Sequence, residues 1–403
     1  MKKVRIVGAG FSGLSLAFEL TNLGVAVEII ESSDRAGGYI SSPKTAYGIY
    51  ETAANGFLSN KNVEKFVKEL GLVPLRPKAA AKKRFLYRGY PQRWPLKFFE
   101  TLRFMANFLM ALMSKRLKPK SQETVFQWGE RNLGSAATRF ILEPALQGIY
   151  AGDSKKLSAE LIFNRQKSGG PSLGLLSFQN GMGELIERLV EILKSKDTQF
   201  HYLTKFDPVE VEPLPTIICT SPDEAATILK KWNSITNADA NAEVLRQIEL
   251  RPLTTVTAYF SQAPVHYSGF GILFPKSENR WPLGILQNSN IFARTNACYS
   301  ETWILSGTIE TDEEIKLKMN SERLAIYGES LEPLEIKVTR WPTALPHYTV
   351  EHKNLIDALI PMKQVWLHGN YLGVIGLSKI LARSQKLAQE INETLLQQRK
   401  IDR

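Results

Sequence analysis

The chain has 403 residues, 43% of them hydrophobic, enough for two or three packed domains and too apolar for a disordered segment. Lys and Arg number 51 against 40 Asp and Glu, and the net charge of +11 suits nucleic acid, an anionic membrane surface or an acidic small molecule, or else marks only a basic surface. Two cysteines, Cys219 and Cys298, with no C-x-x-C and no H-E-x-x-H, argue against a disulfide scaffold, a redox dithiol and the common zinc sites, and five scattered histidines form no nucleophile motif.

Val4 to Val7 is a short apolar run suited to a buried parallel strand. Gly8, Gly10 and Gly13 follow as G-x-G-x-x-G, with Phe11 and Ser12 between the last two, and Leu14 to Leu23 is helical. Gly8 permits the tight turn, Gly10 lets backbone N–H groups approach a pyrophosphate, and Gly13 lets the helix pack closely on the strand. The phosphates then face a helix N-terminus, whose dipole and free N–H groups favour negative charge. Gly24 ends the helix, Val25 to Ile30 is a second strand, and Glu31 stands 18 residues after Gly13, where a ribose-binding carboxylate belongs. A signal peptide is the bland alternative, because Lys2, Lys3 and Arg5 precede apolar residues. It fails on the glycines that interrupt the apolar run and on the missing small-residue cleavage site. A second pair, Gly37-Gly38, is more glycine than a simple dinucleotide turn needs.

Further on, Val63 to Leu70 reads as a helix closed by Gly71, and Lys82 to Pro95 as a hairpin around a Gly-Tyr-Pro turn. Helical patterns run from Lys97 to about Phe163, and Met182 to Lys194 is a further helix. Thr216 to Cys219 is a short buried strand, and Leu253 to Phe260, Gly271 to Phe274 and Thr302 to Ile309 read as strands of a separate sheet. Gln364 to Leu367 is the last strand, followed by Gly369, Gly373, Gly376 and a helix to the end. The expected architecture is α/β: a discontinuous Rossmann-like domain from residues 1–73, 174–232 and 357–403, an α+β domain from 74–95 and 233–356, and a helical subdomain at 96–173. Within the last, Phe98, Phe99, Leu102, Met105, Leu109, Leu112 and Met113 form an apolar face opposite Lys97, Glu100, Arg103, Asn107 and Ser114, with Phe104 and Phe108 on the polar side. The charges make it unsuited to span a membrane. An interfacial helix and an ordinary core helix both fit the pattern.

Glu31-Ser32-Ser-Asp-Arg35-Ala-Gly37-Gly38 followed by Tyr50-Glu51 resembles the flavin-containing amine oxidase superfamily. Arg84-Phe-Leu-Tyr87, Gly148-Ile-Tyr-Ala-Gly-Asp-Ser-Lys-Lys-Leu-Ser158, Gly269-Phe-Gly-Ile-Leu273, Arg340-Trp-Pro-Thr-Ala-Leu-Pro-His-Tyr348 and Gly369-Asn-Tyr-Leu-Gly-Val374 narrow the resemblance to the porphyrinogen oxidases of haem synthesis. The resemblance implies FAD as cofactor, held by Gly8, Gly10, Phe11, Ser12, Gly13, Glu31, Ser32, Arg35, Gly37, Gly38, Gly369, Asn370 and Val374, with Val209 offered as the adenine contact. It implies that the second glycine pair carries the chain past the pyrophosphate towards the flavin. It also implies a porphyrinogen substrate, molecular oxygen as acceptor, hydride transfer to flavin in three two-electron cycles, and hydrogen peroxide as by-product. No catalytic base, metal or nucleic-acid partner is expected, and the expected location is the cytoplasm or the inner face of a membrane. The chain departs from the family where Glu51-Thr52-Ala53-Ala54 stands for Glu-x-Gly-Pro and Glu351-His352 for Gly-His.

Arg84 is the expected substrate anchor. A guanidinium pairs with a carboxylate bidentately as Lys82 and Lys83 cannot, and in a strand Arg84 shares a face with Leu86 while Phe85 and Tyr87 take the other. Composition alone favours a solvated basic strand; the resemblance reverses that preference. Leu273, Leu286 and Ile304 are the expected apolar walls, unless they are simply core. Near the C-terminus, a strand ending at His368 and a helix beginning near Gly376 would aim N–H groups at the flavin pyrimidine. Two rivals remain: another FAD-dependent amine oxidase or carotenoid-type desaturase, and a flavin-binding, membrane-associated protein without oxidase activity.

Overall fold

The computed structural model describes residues 3–163, 171–209, 214–307 and 309–401. Its strands are β1 (Lys3–Val7), β2 (Ala26–Ile30), β3 (Phe57–Ser59), β4 (Phe85–Arg88), β5 (Tyr90–Gln92), β6 (Gly174–Leu176), β7 (Gln199–His201), β8 (Thr216–Ile218), β9 (Leu250–Phe260), β10 (Gly271–Leu273), β11 (Gly284–Leu286), β12 (Tyr299–Ser306), β13 (Glu335–Pro346) and β14 (Val365–Leu367).

Five of these make an all-parallel sheet in the order β14-β8-β1-β2-β7. A parallel sheet needs both faces covered, which explains the buried apolar residues of β1 and β2; Arg5 and Glu28, which interrupt those runs, are themselves buried and pair with each other at 2.6 Å. Helices Phe11–Asn22, Gly183–Ser195 and Leu377–Ile401 pack one face around Ile6, Leu14, Leu185 and Leu381. Helices Pro222–Lys231 and Ala238–Arg246 cover the other around Ile218, Ala226 and Leu245. The second sheet runs β13-β9-β12-β11-β10-β4-β5, with β10 and β4 parallel and every other pair antiparallel. One of its faces is closed by the helix Asp312–Tyr327 over Phe85, Ile272, Ile285 and Trp303.

Several elements differ from the sequence reading, and three show why. The first helix begins at Phe11 rather than Leu14, directly after the Gly10 cap. The strand expected at Thr302–Ile309 runs instead over Tyr299–Ser306, because pairing with β9 fixes its register, and Thr308 lies outside the described residues. β7 completes the parallel sheet from three residues beside β2, too short to show a period.

The helix Phe98–Met113 is turned inside out. Ala111 is its only buried residue, and Phe98, Phe99 and Met113 are 71%, 80% and 85% exposed. The stripe facing the protein runs through Glu100, Phe104, Asn107 and Ala111, at helical three-to-four spacing. Glu100 receives both guanidinium nitrogens of Arg88, at 2.6 and 3.1 Å, an interaction that holds its carboxyl down at about 2. Phe104 meets Trp94 with ring centroids 6.0 Å apart, and Asn107 presses on Gly134, where a β-carbon would lie 2.8 Å from the amide nitrogen. The apolar face therefore points away from the protein, and an ordinary core helix is ruled out. Among the described residues, no helix is long and apolar enough to cross a membrane.

Candidate functional site

At the carboxyl ends of β1 and β2 the two glycine clusters meet. A β-carbon on Gly13 would lie 2.0 Å from the Gly8 carbonyl oxygen, so helix and strand approach as closely as backbone allows. Gly37, at φ +110°, donates its N–H to the Ala9 carbonyl at 2.8 Å, and Gly38 abuts Gly10. Gly10, by contrast, faces open space, with nothing within 4 Å of where its β-carbon would be. The helix that starts beside it has no side-chain cap. An uncapped N-terminus above an open glycine is a cradle with room for phosphate oxygens.

Glu31 closes the cradle's edge. One carboxylate oxygen accepts the Ala9 N–H at 2.7 Å; the other accepts the Ser33 N–H at 2.8 Å and the Ser33 hydroxyl at 2.7 Å, with Ser32 Oγ at 3.5 Å. Arg35 wraps the second glycine pair, donating to the Gly38 carbonyl at 2.9 Å and to those of Ala36 and Ile40. Its bonds in this structure brace the loop. Val209 stands apart from these contacts, 74% exposed in a turn where its N–H donates to Asp207 Oδ1.

The C-terminal motif joins the same cradle. Gly369 and Asn370 lead into a short 3-10 turn, Val374 is buried, and Tyr348 donates its hydroxyl to the Asn370 carbonyl at 2.7 Å. His368, fully buried at the end of β14, lies 2.9 Å from Ser384 Oγ, which lies 2.8 Å from Ser15 Oγ; that hydroxyl donates to the Ser12 carbonyl. This chain staples the last helix to the first turn of the first helix. Burial pushes His368 down to about 3, so it stays neutral in ordinary buffers. The sequence offered no signal for the staple, since its serines are separated by most of the chain.

The seven-stranded sheet turns its second face away from the helix Asp312–Tyr327. Register places Leu86 beside Leu273, Leu273 beside Gly284, Gly284 beside Ile304, and Leu286 between Gly271 and Thr302. Leu273, Leu286 and Ile304 thus share one half-buried face, opposite Ile272, Ile285 and Trp303. Helix Glu143–Tyr150 overhangs it: a β-carbon on Gly148 would lie 2.7 Å from Leu273 Cδ2. Arg84 sits at the start of β4, exposed, its guanidinium 4.9 Å from the Phe270 ring centroid. Among the described residues no carboxylate lies within 4 Å of it, whereas Arg88, four positions on, is consumed by Glu100. Between cradle and sheet, Trp341 donates its indole N–H to the Thr52 carbonyl at 2.8 Å and packs on Tyr39 with centroids 4.7 Å apart.

The family model for flavin containing amine oxidoreductase matches residues 11–373, nearly the whole chain. The chain belongs to the flavin-containing amine oxidoreductase family. Relatives within this family include protoporphyrinogen oxidase 1, chloroplastic, of Spinacia oleracea, 24% identical over 97% of this chain and 84% of its own length. Coproporphyrinogen III oxidase of Bacillus subtilis (strain 168) is likewise 24% identical, over 89% and 90%. The crystal structure of cyclohexylamine oxidase from Brevibacterium oxydans superposes with a TM-score of 0.71 at 17% identity, covering 98% of this chain and 99% of that one. The expected α/β fold is the family's fold, the cofactor is FAD, and the protein is an FAD-dependent oxidoreductase.

Proposed function

We propose that the protein oxidises a porphyrinogen to a porphyrin at an anionic membrane surface, with molecular oxygen as terminal acceptor. The observation that carries this reading is the sheet face just described: a flat, half-buried aliphatic wall flattened further by Gly271 and Gly284, ended by an arginine that no carboxylate neutralises among the described residues. A planar macrocycle bearing carboxylates fits it in shape and in charge. An amine cation would meet Arg84 with repulsion, and a carotenoid would leave it unpaired. Relatives named as porphyrinogen oxidases support the same reading.

FAD, when bound, accepts hydride from the substrate and passes the electrons to oxygen. The chain's part is to hold the two partners and exclude water. Gly8, Gly10, Phe11, Ser12, Gly13, Gly37 and Gly38 form the pyrophosphate cradle, with Ser32 and Arg35 in its outer loop, and Gly369, Asn370 and Val374 the flavin end. Leu273, Leu286 and Ile304 take one face of the macrocycle, and Arg84 fixes its rotation through a carboxylate.

Anaerobic mixing of the FAD-loaded protein with coproporphyrinogen and with protoporphyrinogen tests the reading. Flavin bleaching by either supports it, and bleaching by neither, with an amine bleaching it instead, overturns it. Arg84→Ala should weaken productive substrate binding by about 1.5–3 kcal/mol with FAD content unchanged, and Arg84→Lys should recover only part of the loss. Identical steady-state kinetics in both variants would return Arg84 to the solvated surface. Glu31→Ala should lower FAD affinity by about 1.5–3 kcal/mol through loss of charge-assisted hydrogen bonds, read as flavin released on dialysis.

A further inference from the structure

We infer that Arg294, carried by the sheet's own β11–β12 connection, is a positioning residue that sets the cofactor-side segment Ser41–Thr52 against the substrate-side wall. The inference rests on the functional reading above.

Glu51 is 3% exposed, yet it lies in a segment leading from the second glycine pair. Its carboxylate accepts from the Arg294 guanidinium at 3.0 Å, from Ser42 Oγ at 2.5 Å and from the Met182 N–H at 3.1 Å. Arg294 is almost as buried, and its remaining donors reach the Phe178 carbonyl at 3.2 Å and Ser177 Oγ at 2.5 Å. One guanidinium from the second sheet's loop thus grips two segments, Glu51 and Ser177-Phe178, and through the Glu51 carboxylate reaches a third at Met182. The grip is reinforced where Ala297 donates its N–H to the Tyr47 carbonyl at 3.1 Å, and where Gly48 leaves room for Asn296.

Both ends of this clasp lead directly to the site. On one side, Arg294 lies eight residues after Leu286 of the aliphatic wall, and Asn288 between them donates to Thr302 Oγ1 at 2.8 Å in the neighbouring strand. On the other, Thr52 follows Glu51, holds the Tyr39 carbonyl through its hydroxyl at 2.6 Å, and accepts the Trp341 indole. A shift of the Glu51 carboxylate therefore moves the segment that runs from Gly38 to Thr52. Burial raises the Glu51 carboxyl and lowers the Arg294 guanidinium from their ordinary values, and the charge of each partner opposes that shift in the other. Among the described residues, Glu184, on the helix Gly183–Ser195, is the one further charged group that acts on Arg294. A buried pair of this kind often adds little net stability over apolar replacements, whereas loss of one partner strands the other.

The test compares Arg294→Met, Arg294→Lys, Glu51→Gln and the double variant Arg294→Met/Glu51→Gln as FAD-loaded proteins. In Arg294→Met the limiting rate of flavin reduction by porphyrinogen, per bound flavin, should fall about tenfold while half-saturation by substrate stays within about twofold, because Arg294 does not touch substrate. That loss should deepen as pH rises and the stranded Glu51 ionises. The double variant should show a flat pH profile and no greater loss than Arg294→Met, and Arg294→Lys should recover part of the rate. A merely structural pair would lower the melting temperature and leave the per-flavin rate alone. A wild-type limiting rate in Arg294→Met, or in the double variant should the single one fail to fold, overturns the inference. If porphyrinogen does not reduce the wild-type flavin, the functional reading fails by itself. The FAD dissociation constant then decides on Arg294: about a tenfold rise in Arg294→Met with partial recovery in Arg294→Lys upholds the clasp, and no change refutes it.

Discussion

Gly13→Ala is expected to abolish FAD retention and to destabilise the protein by about 3 kcal/mol, because its new β-carbon would sit 2.0 Å from the Gly8 carbonyl oxygen. That neighbour is backbone and cannot rotate away, so the first helix must back off from β1 and take its N-terminus with it. Gly10→Ala is the informative partner. Gly10 has φ −70° and ψ 175°, which alanine adopts freely, and its β-carbon would enter open space. The apo variant should therefore melt within about 1 kcal/mol of wild type, or slightly above it, since alanine loses less backbone entropy on folding. Its methyl would nevertheless occupy the space where a pyrophosphate approaches the backbone, so its FAD affinity should drop at least about tenfold. Thermal unfolding of apo protein and flavin titration separate the two effects. If Gly10→Ala binds FAD as wild type does, the open space is not the pyrophosphate cradle.

The contrast between those glycines also shows which parts of the molecule were legible in the sequence. The strand, turn and helix of residues 3–22 could be read because each requirement is local: a turn, a close approach, a helix start. That Gly37-Gly38 carries the chain past the pyrophosphate came from the family resemblance, whereas the Ala9–Gly37 hydrogen bond and the contact of Gly38 with Gly10 came only from the structure. β13 was missed although it has twelve residues, because only Glu335 to Thr339 alternates polar and apolar and the period breaks at Arg340-Trp341-Pro342. The ion pair of Glu51 and Arg294 was also invisible. Glu51 stood in a family motif and Arg294 in none, and only the packing of the two sheets brings them together. The same holds for Glu301 and Arg323, fully buried behind the second sheet and joined at 2.8 Å. For the helix Phe98–Met113 the pattern gave a correct apolar face but not its direction. Amphipathicity fixes which side is apolar, whereas the side that meets the protein was decided by Arg88, Trp94 and Gly134.

That inverted helix carries the other large expected effect. The protein should float with anionic liposomes at low salt, and replacing Phe98, Phe99 and Met113 together with Ser should cut membrane partitioning by about 3–5 kcal/mol, roughly a hundredfold to several thousandfold. All three are among the most exposed residues of the helix, so the folded core gives up almost nothing when they change. Leu102, Met105, Leu109 and Leu112 widen the patch, and Trp94 adds a ring whose N–H is already satisfied by Thr101. An apolar face of this breadth marks an interaction surface. Its occupant is argued by the charges that follow it: Lys115, Arg116, Lys118 and Lys120 cluster just beyond the helix and are exposed. Each is worth roughly 1 kcal/mol against an anionic surface and is screened by salt, so binding should weaken with ionic strength while the apolar share persists. Phe104 is a different kind of position, because it packs inward against Trp94, and Phe104→Ser should lower stability as well as partitioning. Glu100→Gln separates anchoring of the helix from contact with lipid: it removes half of the Arg88 pair without touching the outward face, so it should loosen the helix and leave the apolar patch intact. Wild-type protein that stays in the soluble fraction with anionic liposomes at low salt would show that this face meets some other partner.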